Sequence, residues 1–223
     1  MNALPELDYV QPFQFLPKQL YSPVMPQGLA NPKLVIGSES TANLLGLDIT
    51  TLGQPDSLKL ISGQAVLNIW NPIAMKYTGH QFGQYNPQLG DGRGLLIAQV
   101  NHQEKIWDMH LKGAGSTPYS RQGDGRAVLR SSIREFLCSE ALAALNIPTT
   151  RALCVVDSDT PVYREQQESG AMLIRVTPGH VRFGHFEFCS FSNEPPLLQT
   201  LCDFVIKQHY PQLINHENKY LEF

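Results

Sequence analysis

Lys105-Ile-Trp-Asp-Met-His-Leu-Lys112, a glycine-rich connection from Gly113 to Gly125, and then Ala127-Val-Leu-Arg-Ser-Ser-Ile-Arg-Glu-Phe-Leu-Cys-Ser-Glu-Ala-Leu-Ala-Ala-Leu145 form the stretch on which the fold turns. In the first segment Trp107, Met109 and Leu111 alternate with Asp108, His110 and Lys112. That is the period of a strand, and it puts Lys112 on the more polar face. The last segment holds strong helix formers, an apolar set of Leu129, Ile133, Phe136, Leu137 and Leu145, and a stop before Pro148, so it predicts a helix. Leu95 to Val100 reads as the strand preceding Lys105, joined to it by a short turn at Asn101–Glu104. Ala152–Val156, Pro161–Arg164 and Ala171–Val176 read as further strands, and Pro196–His209 as a second amphipathic helix. Short strands around one major helix make an α+β lobe.

Before this lobe the chain has another character. Residues 1 to 32 carry Pro5, Pro12, Pro17, Pro23, Pro26 and Pro32 among Tyr9, Phe13, Phe15 and Tyr21. Prolines at this density exclude a long helix, and the aromatics predict an extended strap packed on something else. Ser38–Leu47 predicts one short helix with Ser38 or Ser40 as its N-cap. Gly79–Pro87 reads as a loop of glycine, glutamine and aromatic residues.

The 223 residues carry a formal net charge of -3. That balance argues against a general binder of nucleic acid or anionic membranes, both of which demand a broad basic surface. Contact with a polyanion should be local, built from a few placed cations. Cys138, Cys154, Cys189 and Cys202 show neither C-x-x-C pairing nor metal-ligand spacing, and read as reduced thiols, three of them (Cys138 included) in apolar surroundings. No apolar run approaches the ~20 residues that span a bilayer, and the N-terminus lacks the basic start of a secretory signal. A cytoplasmic protein is expected.

Four clusters carry chemistry. Gly90-Asp91-Gly92-Arg93-Gly94 precedes a strand. It is either an ordinary turn or a loop whose free N–H groups and Arg93 approach an anion. It has neither P-loop nor dinucleotide-fold spacing. Lys112 is followed 23 residues later by Glu135, and a strand lysine held by a helix glutamate is how protein kinases reach nucleotide phosphates. Glu135 shares a helix face with Val128, Ser131, Ser132, Cys138, Ser139 and Leu142 and has no basic residue at i±4. It therefore points to protein and a cation there, or to solvent. Gly123-Asp124-Gly125-Arg126 leads toward that helix, with Asp124 as its N-cap, as part of an anion or ribose site, or as both. Arg175 lies in an apolar strand, where an unpaired guanidinium is costly, so it meets a buried anion or lines a cleft. Arg182 follows close by, while His180 and His185 read as ordinary loop histidines.

Taken together, Leu89–Gly94, His110–Gly115, Ser116–Glu140, Ile147–Leu153 and Arg175–Gly184 resemble the selenoprotein O (SelO) family, and Tyr21–Asp48 is similar to that family's N-terminal strap. The resemblance implies a protein-kinase-like N-lobe that binds ATP in a flipped orientation and transfers AMP to Ser, Thr or Tyr hydroxyls of proteins. It implies 1–88 as strap and family-specific extension, 89–185 as the nucleotide-binding lobe, and 186–223 as hinge and first C-lobe helix. By position, Gly90, Gly92, Arg93, Lys112, Asp124, Gly125, Arg175 and Arg182 match ATP contacts, with Glu135 positioning the lysine. A catalytic aspartate and the ligands of Mg2+ or Mn2+ are expected beyond Phe223, since Phe183–Phe223 offers no equivalent. The isolated stretch is then expected to be inactive. A non-catalytic ATP-binding or scaffold role is the alternative, and an atypical kinase a further one.

Overall fold

The computed structural model describes residues 1–223 throughout. In chain order the strands are β1 (Tyr9–Val10), β2 (Tyr21–Pro23), β3 (Lys33–Gly37), β4 (Ile73–Met75), β5 (Gly79–Gln81), β6 (Gln84–Asn86), β7 (Gly94–His102), β8 (Lys105–Lys112), β9 (Ala127–Val128), β10 (Arg151–Asp157), β11 (Pro161–Tyr163) and β12 (Gln167–Thr177). The helices are α1 (Glu39–Leu44), α2 (Pro55–Ile61), α3 (Leu129–Ala144), α4 (Phe183–Phe191), α5 (Pro195–His209) and α6 (Lys219–Glu222).

A ten-stranded sheet runs in the order β2-β4-β7-β8-β12-β10-β3, with β1 alongside β7 and both β9 and β11 alongside β12. The result is an α+β fold. The β7–β8 turn is tight because Gln103 and Glu104 both adopt left-handed φ values, 51° and 61°, the backbone of the hairpin turns that match strand twist. Ser38 caps α1 by accepting the Thr41 N–H at 3.2 Å. The strap is extended and broken by short 3-10 turns, and it contributes β1 and β2 to the sheet. Its Leu4, Leu7, Tyr9, Phe13, Leu16, Leu20 and Tyr21 are buried. The Gly79–Pro87 stretch is a separate β5–β6 hairpin.

The two faces of the sheet are packed unequally. Met109 and Leu111 of β8, with Ile174 and Val176 of β12, point into a core of 25 residues shared with the strap, α1 and α2. On the opposite face, α3 covers Ala152, Val155 and Leu173 through Phe136. At the other end of that face, α4 and α5 join Phe13, Leu16 and Leu20 over Ile73, Met75 and Leu96. Between these two patches lie His110, Lys112 and Arg175. Asp108, His110 and Lys112 are thus a polar row that is buried, not the wet face which alternation alone suggests.

Helix α3 corrects the sequence pattern in a second way. The side it turns inward is Ser132, Phe136 and Ser139. Ser139 Oγ donates to the Thr150 carbonyl and accepts the Ala152 N–H, tying the helix to β10. Ile133, Leu137 and Leu145, three of the five residues expected to form its core stripe, are exposed. The helix starts at Leu129, after a short strand at Ala127–Val128 that pairs with Gly170 and Ala171. Asp124 therefore does not cap it. Cys138 is exposed, while Cys154 and Cys189 are buried and Cys202 half-buried. No helix is long and apolar enough to cross a membrane.

Candidate functional site

The strand and helix named at the outset bring Lys112 and Glu135 into contact. Lys112 sits at the end of β8, between Gly94 and Leu173 on the neighbouring strands, and its Nζ donates to Glu135 Oε2. Arg175, one strand over on β12, donates from Nε to Glu135 Oε1 at 2.6 Å. One carboxylate thus holds two cations. Burial by itself would raise the Glu135 carboxyl, but Arg175 and Lys112 outweigh it and hold it at about 2. Burial lowers the Lys112 ammonium, and the Glu135 carboxylate works against that.

Beside this triad opens a cleft of about 820 Å3, within the range of small-molecule sites. Gly90, Gly92, Arg93, Asp124, Gly125, Arg175 and Arg182 all line it. Lys112 itself lines neither this cleft nor its neighbour, and only 7% of its side chain is exposed. Glu135 faces a neighbouring cleft of about 590 Å3 that shares Arg175 and Arg182 with the first. Reasoning from the sequence left out Tyr77, Arg121 and Arg164, and named Arg126 only within its tetrapeptide, with no contact of its own; all four also line the larger cleft. A signal for Arg126 was present: the tetrapeptide Gly-Asp-Gly-Arg occurs at 90–93 and again at 123–126.

Six arginines against two aspartates make the larger cleft strongly cationic in a chain of net charge -3. The two aspartates are already engaged. Asp124 forms a forked pair with Arg164, at 2.8 and 3.0 Å, and accepts the Arg126 N–H at 2.9 Å. Asp91 is buried, accepting the Met75 N–H at 3.1 Å and facing His110 Nε2 at 3.3 Å. Burial would raise the Asp91 carboxyl, but His110, Arg182 and the Met75 N–H hold it at about 2. Arg126 is anchored by neutral groups, the carbonyls of Gln27 at 2.6 Å and Gly113 at 3.4 Å. Arg93 is exposed and makes no ion pair. Charges left without counter-ions in this way give the cleft a positive potential.

The first glycine loop works differently from a cradle of free amides. The N–H groups of Gly90, Asp91 and Gly92 bond to the carbonyls of Tyr77, Met75 and Gly90. Gly90 has φ +52°, and a Cβ there would run into the Tyr119 ring. Its glycines serve close packing, which Thr117 Oγ1 reinforces by donating to the Asp91 carbonyl at 2.7 Å. The loop is a braced rim, and what it offers a ligand is Arg93. On the other rim, Gly125 at φ +68° packs directly on the Gly115 carbonyl.

His180 and His185 are not loop histidines of no consequence. The His180 ring stacks on His110 with centroids 4.7 Å apart, and its backbone N–H donates to Asp108 Oδ2 at 2.8 Å. Asp108 Oδ1 accepts from Gln99 Nε2 at 2.7 Å, and Gln99 Oε1 accepts the Phe13 N–H at 2.9 Å. A buried polar chain therefore runs from the glycine loop to the strap. His185 lies fully buried in α4, where its Nδ1 accepts the Arg182 N–H at 3.1 Å. Burial pushes both His110 and His185 down to about 4, so both rings are neutral at pH 7. No group of three or more His, Cys, Asp or Glu stands together to hold a metal ion.

Residues 3–223 match the model of the family described as Protein adenylyltransferase SelO. The chain is 54% identical over 222 residues to the Protein nucleotidyltransferase YdiU of Pseudomonas putida (strain GB-1), covering 99% of this chain and 46% of that protein. It is 52% identical over 224 residues to the same-named protein of Stutzerimonas stutzeri (strain A1501), covering 100% and 46%. With that of Vibrio atlanticus (strain LGP32) it is 48% identical over 221 residues, covering 99% and 46%. The chain thus spans a little under half the length of these relatives.

Proposed function

Because the chain belongs to the SelO family of protein adenylyltransferases, we propose that its arginine-lined cleft grips the triphosphate of ATP, as the nucleotide-binding half of an enzyme that transfers AMP to Ser, Thr or Tyr hydroxyls of proteins. The observation that carries this reading is the contact of Lys112 and Arg175 with one carboxylate, Glu135, beside a cleft whose other arginines keep unspent charge. The sheet β4-β7-β8-β12-β10 with α3 packed on it would correspond to a kinase-like N-lobe. Supporting that reading are a lysine on an inner strand and a glutamate on the one long helix beside it.

In the reaction, a protein hydroxyl oxygen bonds to the α-phosphorus of ATP, the bond from that phosphorus to the bridging oxygen breaks, and pyrophosphate leaves. Negative charge grows on the departing phosphates. Arg93, Arg126, Arg175 and Arg182 are the groups positioned to stabilise it. The hydroxyl proton needs a base, and neither aspartate of the cleft is free to serve, since Asp91 is buried and paired and Asp124 is tied to Arg164, while His110 is buried against Asp91. Mg2+ or Mn2+, when bound, would shield the phosphates; no three His, Cys, Asp or Glu side chains of residues 1–223 stand together to hold it. The same lack of a base favours a second reading for residues 1–223 by themselves, a nucleotide-binding unit without transfer activity.

Titrating the 223-residue chain with ATP tests the proposal. Saturable binding is expected, weakened at least about tenfold by Lys112→Ala. No binding by the unaltered chain would remove the basis of the reading. With a full-length relative and a protein acceptor, intact mass separates the chemistries: a gain of about 329 Da marks AMP and about 80 Da marks phosphate. The smaller gain would make the family member a kinase.

A further inference from the structure

Arginines in this cleft are anchored in two ways. Arg175 and Arg164 are each held by a carboxylate, Glu135 and Asp124, and part of their charge is answered before any ligand arrives. Arg182 touches no carboxylate, and among the carboxylates only the buried Asp91 nearby feels its charge. Its guanidinium carbon lies 4.5 Å from the centroid of the Tyr77 ring, and its Nη1 donates to Tyr77 Oη at 3.4 Å. Stacking on an aromatic face orients a guanidinium in its plane while leaving its charge uncancelled and most of its N–H donors free.

Tyr77 can act as such a platform because it is itself fixed. Its ring packs against the buried His185 ring at 5.2 Å, and its carbonyl accepts the Gly90 N–H at 3.1 Å. Burial pushes its hydroxyl up to about 12, so the platform stays neutral. Arg182 is meanwhile held at its backbone by His185 Nδ1. With main chain and guanidinium both fixed, an otherwise exposed arginine loses little freedom when a ligand arrives. Tyr77 also links Arg182 to the glycine loop, so that Arg182 and the loop bearing Arg93 share one support.

We propose that Tyr77 is a positioning residue whose ring presents Arg182 to the phosphate chain of the bound nucleotide. The proposal rests on the nucleotide reading above, and adds that the ring, not the hydroxyl, does the positioning. The long 3.4 Å hydroxyl contact is secondary.

The test is an ATP titration of the 223-residue chain and its variants Tyr77→Phe, Tyr77→Leu, Arg182→Ala and the Tyr77→Leu/Arg182→Ala double, each with a thermal melt. Tyr77→Phe keeps the ring and should stay within about threefold of the unaltered chain, whereas Tyr77→Leu should lose about five- to tenfold. In the Arg182→Ala background the leucine should cause no further loss, because its effect passes through that arginine. A merely structural role for Tyr77 would give additive losses instead. Should the leucine variant fail to fold, Tyr77→Met supplies a second ringless side chain. Equal losses from phenylalanine and leucine, or additive losses in the double variant, would overturn the proposal while ATP binding by the unaltered chain left the nucleotide reading standing. Absence of that binding would overturn both.

Discussion

Gly90-Asp91-Gly92-Arg93 and Gly123-Asp124-Gly125-Arg126 put the same four residues on two rims of one cleft, and the fold uses them in opposite senses. In the first, the aspartate turns inward. Asp91 is buried, holds the Met75 amide and His110, and heads the polar chain that reaches the strap through His180, Asp108 and Gln99. Its arginine, Arg93, is left to solvent and ligand. In the second, the aspartate stays at the surface in a fork with Arg164, while the arginine is the anchored member, held by the Gln27 and Gly113 carbonyls. Side-chain chemistry is identical in the two loops. What differs is whether the neighbouring strand supplies a buried imidazole or the neighbouring hairpin an exposed guanidinium.

The sharpest way to break this comparison is to remove each aspartate in turn. Asp91→Ala deletes a buried carboxylate and leaves the Met75 amide and the neutral His110 ring without their acceptor, so denaturant unfolding should show a loss of about 1–3 kcal/mol. Lys112→Ala should cut nucleotide binding with less harm to the fold, so the two residues are separated by which measurement moves. A stability loss below about 1 kcal/mol for Asp91→Ala would mean that the first loop is no more braced than the second.

A comparable effect follows from pH. His110 is held at about 4 in the folded protein, below the ~6.5 of a free histidine. The unfolded chain binds this proton more readily, so the stabilisation is complete above about pH 6.5 and is lost as pH falls toward 4. His185 works in the same direction. Asp91, held at about 2, keeps its contribution throughout that window and gives it up only below about pH 4. Unfolding curves at pH 7 and pH 4.5 should differ by roughly 2–3 kcal/mol from His110 alone. Equal stability at the two pH values would show that the ring beside the first loop is hydrated, and that the contrast in burial between the loops is not real.

Local pattern made the β7–β8 hairpin, the Ser38 cap, the extended strap and the existence of α3 legible, because each depends on residues within a turn or two. The pairing of Glu135 with Lys112 was legible too, though not its contact with Arg175. Its lack of an i±4 cation and its run of small face-mates, Ser132 and Ser139, pointed it inward, where Lys112 and Arg175 meet it. The apolar stripe of α3 pointed the other way. Ile133, Leu137 and Leu145 are exposed because Ser139 and Phe136 already satisfy β10, and a hydrophobic period cannot say which of two faces the sheet will take. The burial of Asp108, His110 and Lys112 was illegible for a related reason. Alternation tells two faces apart but not whether the polar one is wet, and here Glu135 of α3, Asp91, His180 and Gln99 meet it. The partners of Asp91 and Asp124 depended on strand register across distant segments, which nothing within either tetrapeptide encodes.

The mildest perturbation is the most discriminating for the second loop. Asp124→Asn keeps the size of the side chain and one acceptor for the Arg126 N–H, but weakens the fork to Arg164, a pair with both members partly exposed. Exposed pairs contribute below about 1 kcal/mol, so unfolding should barely change. Binding can change in either direction, and the direction is informative. If Asp124 acts chiefly by restraining Arg164, its loss releases a cation into a cleft that selects an anion, and affinity for ATP should rise or hold, more so at low ionic strength. If Asp124 contacts the nucleotide directly, as its resemblance to the family's ATP contacts implies, affinity should fall by several-fold and a lower ionic strength should not restore it. A fall in stability as large as that of Asp91→Ala would erase the difference between the loops, because it would place in the second aspartate a bracing role for which its exposed fork leaves no physical basis.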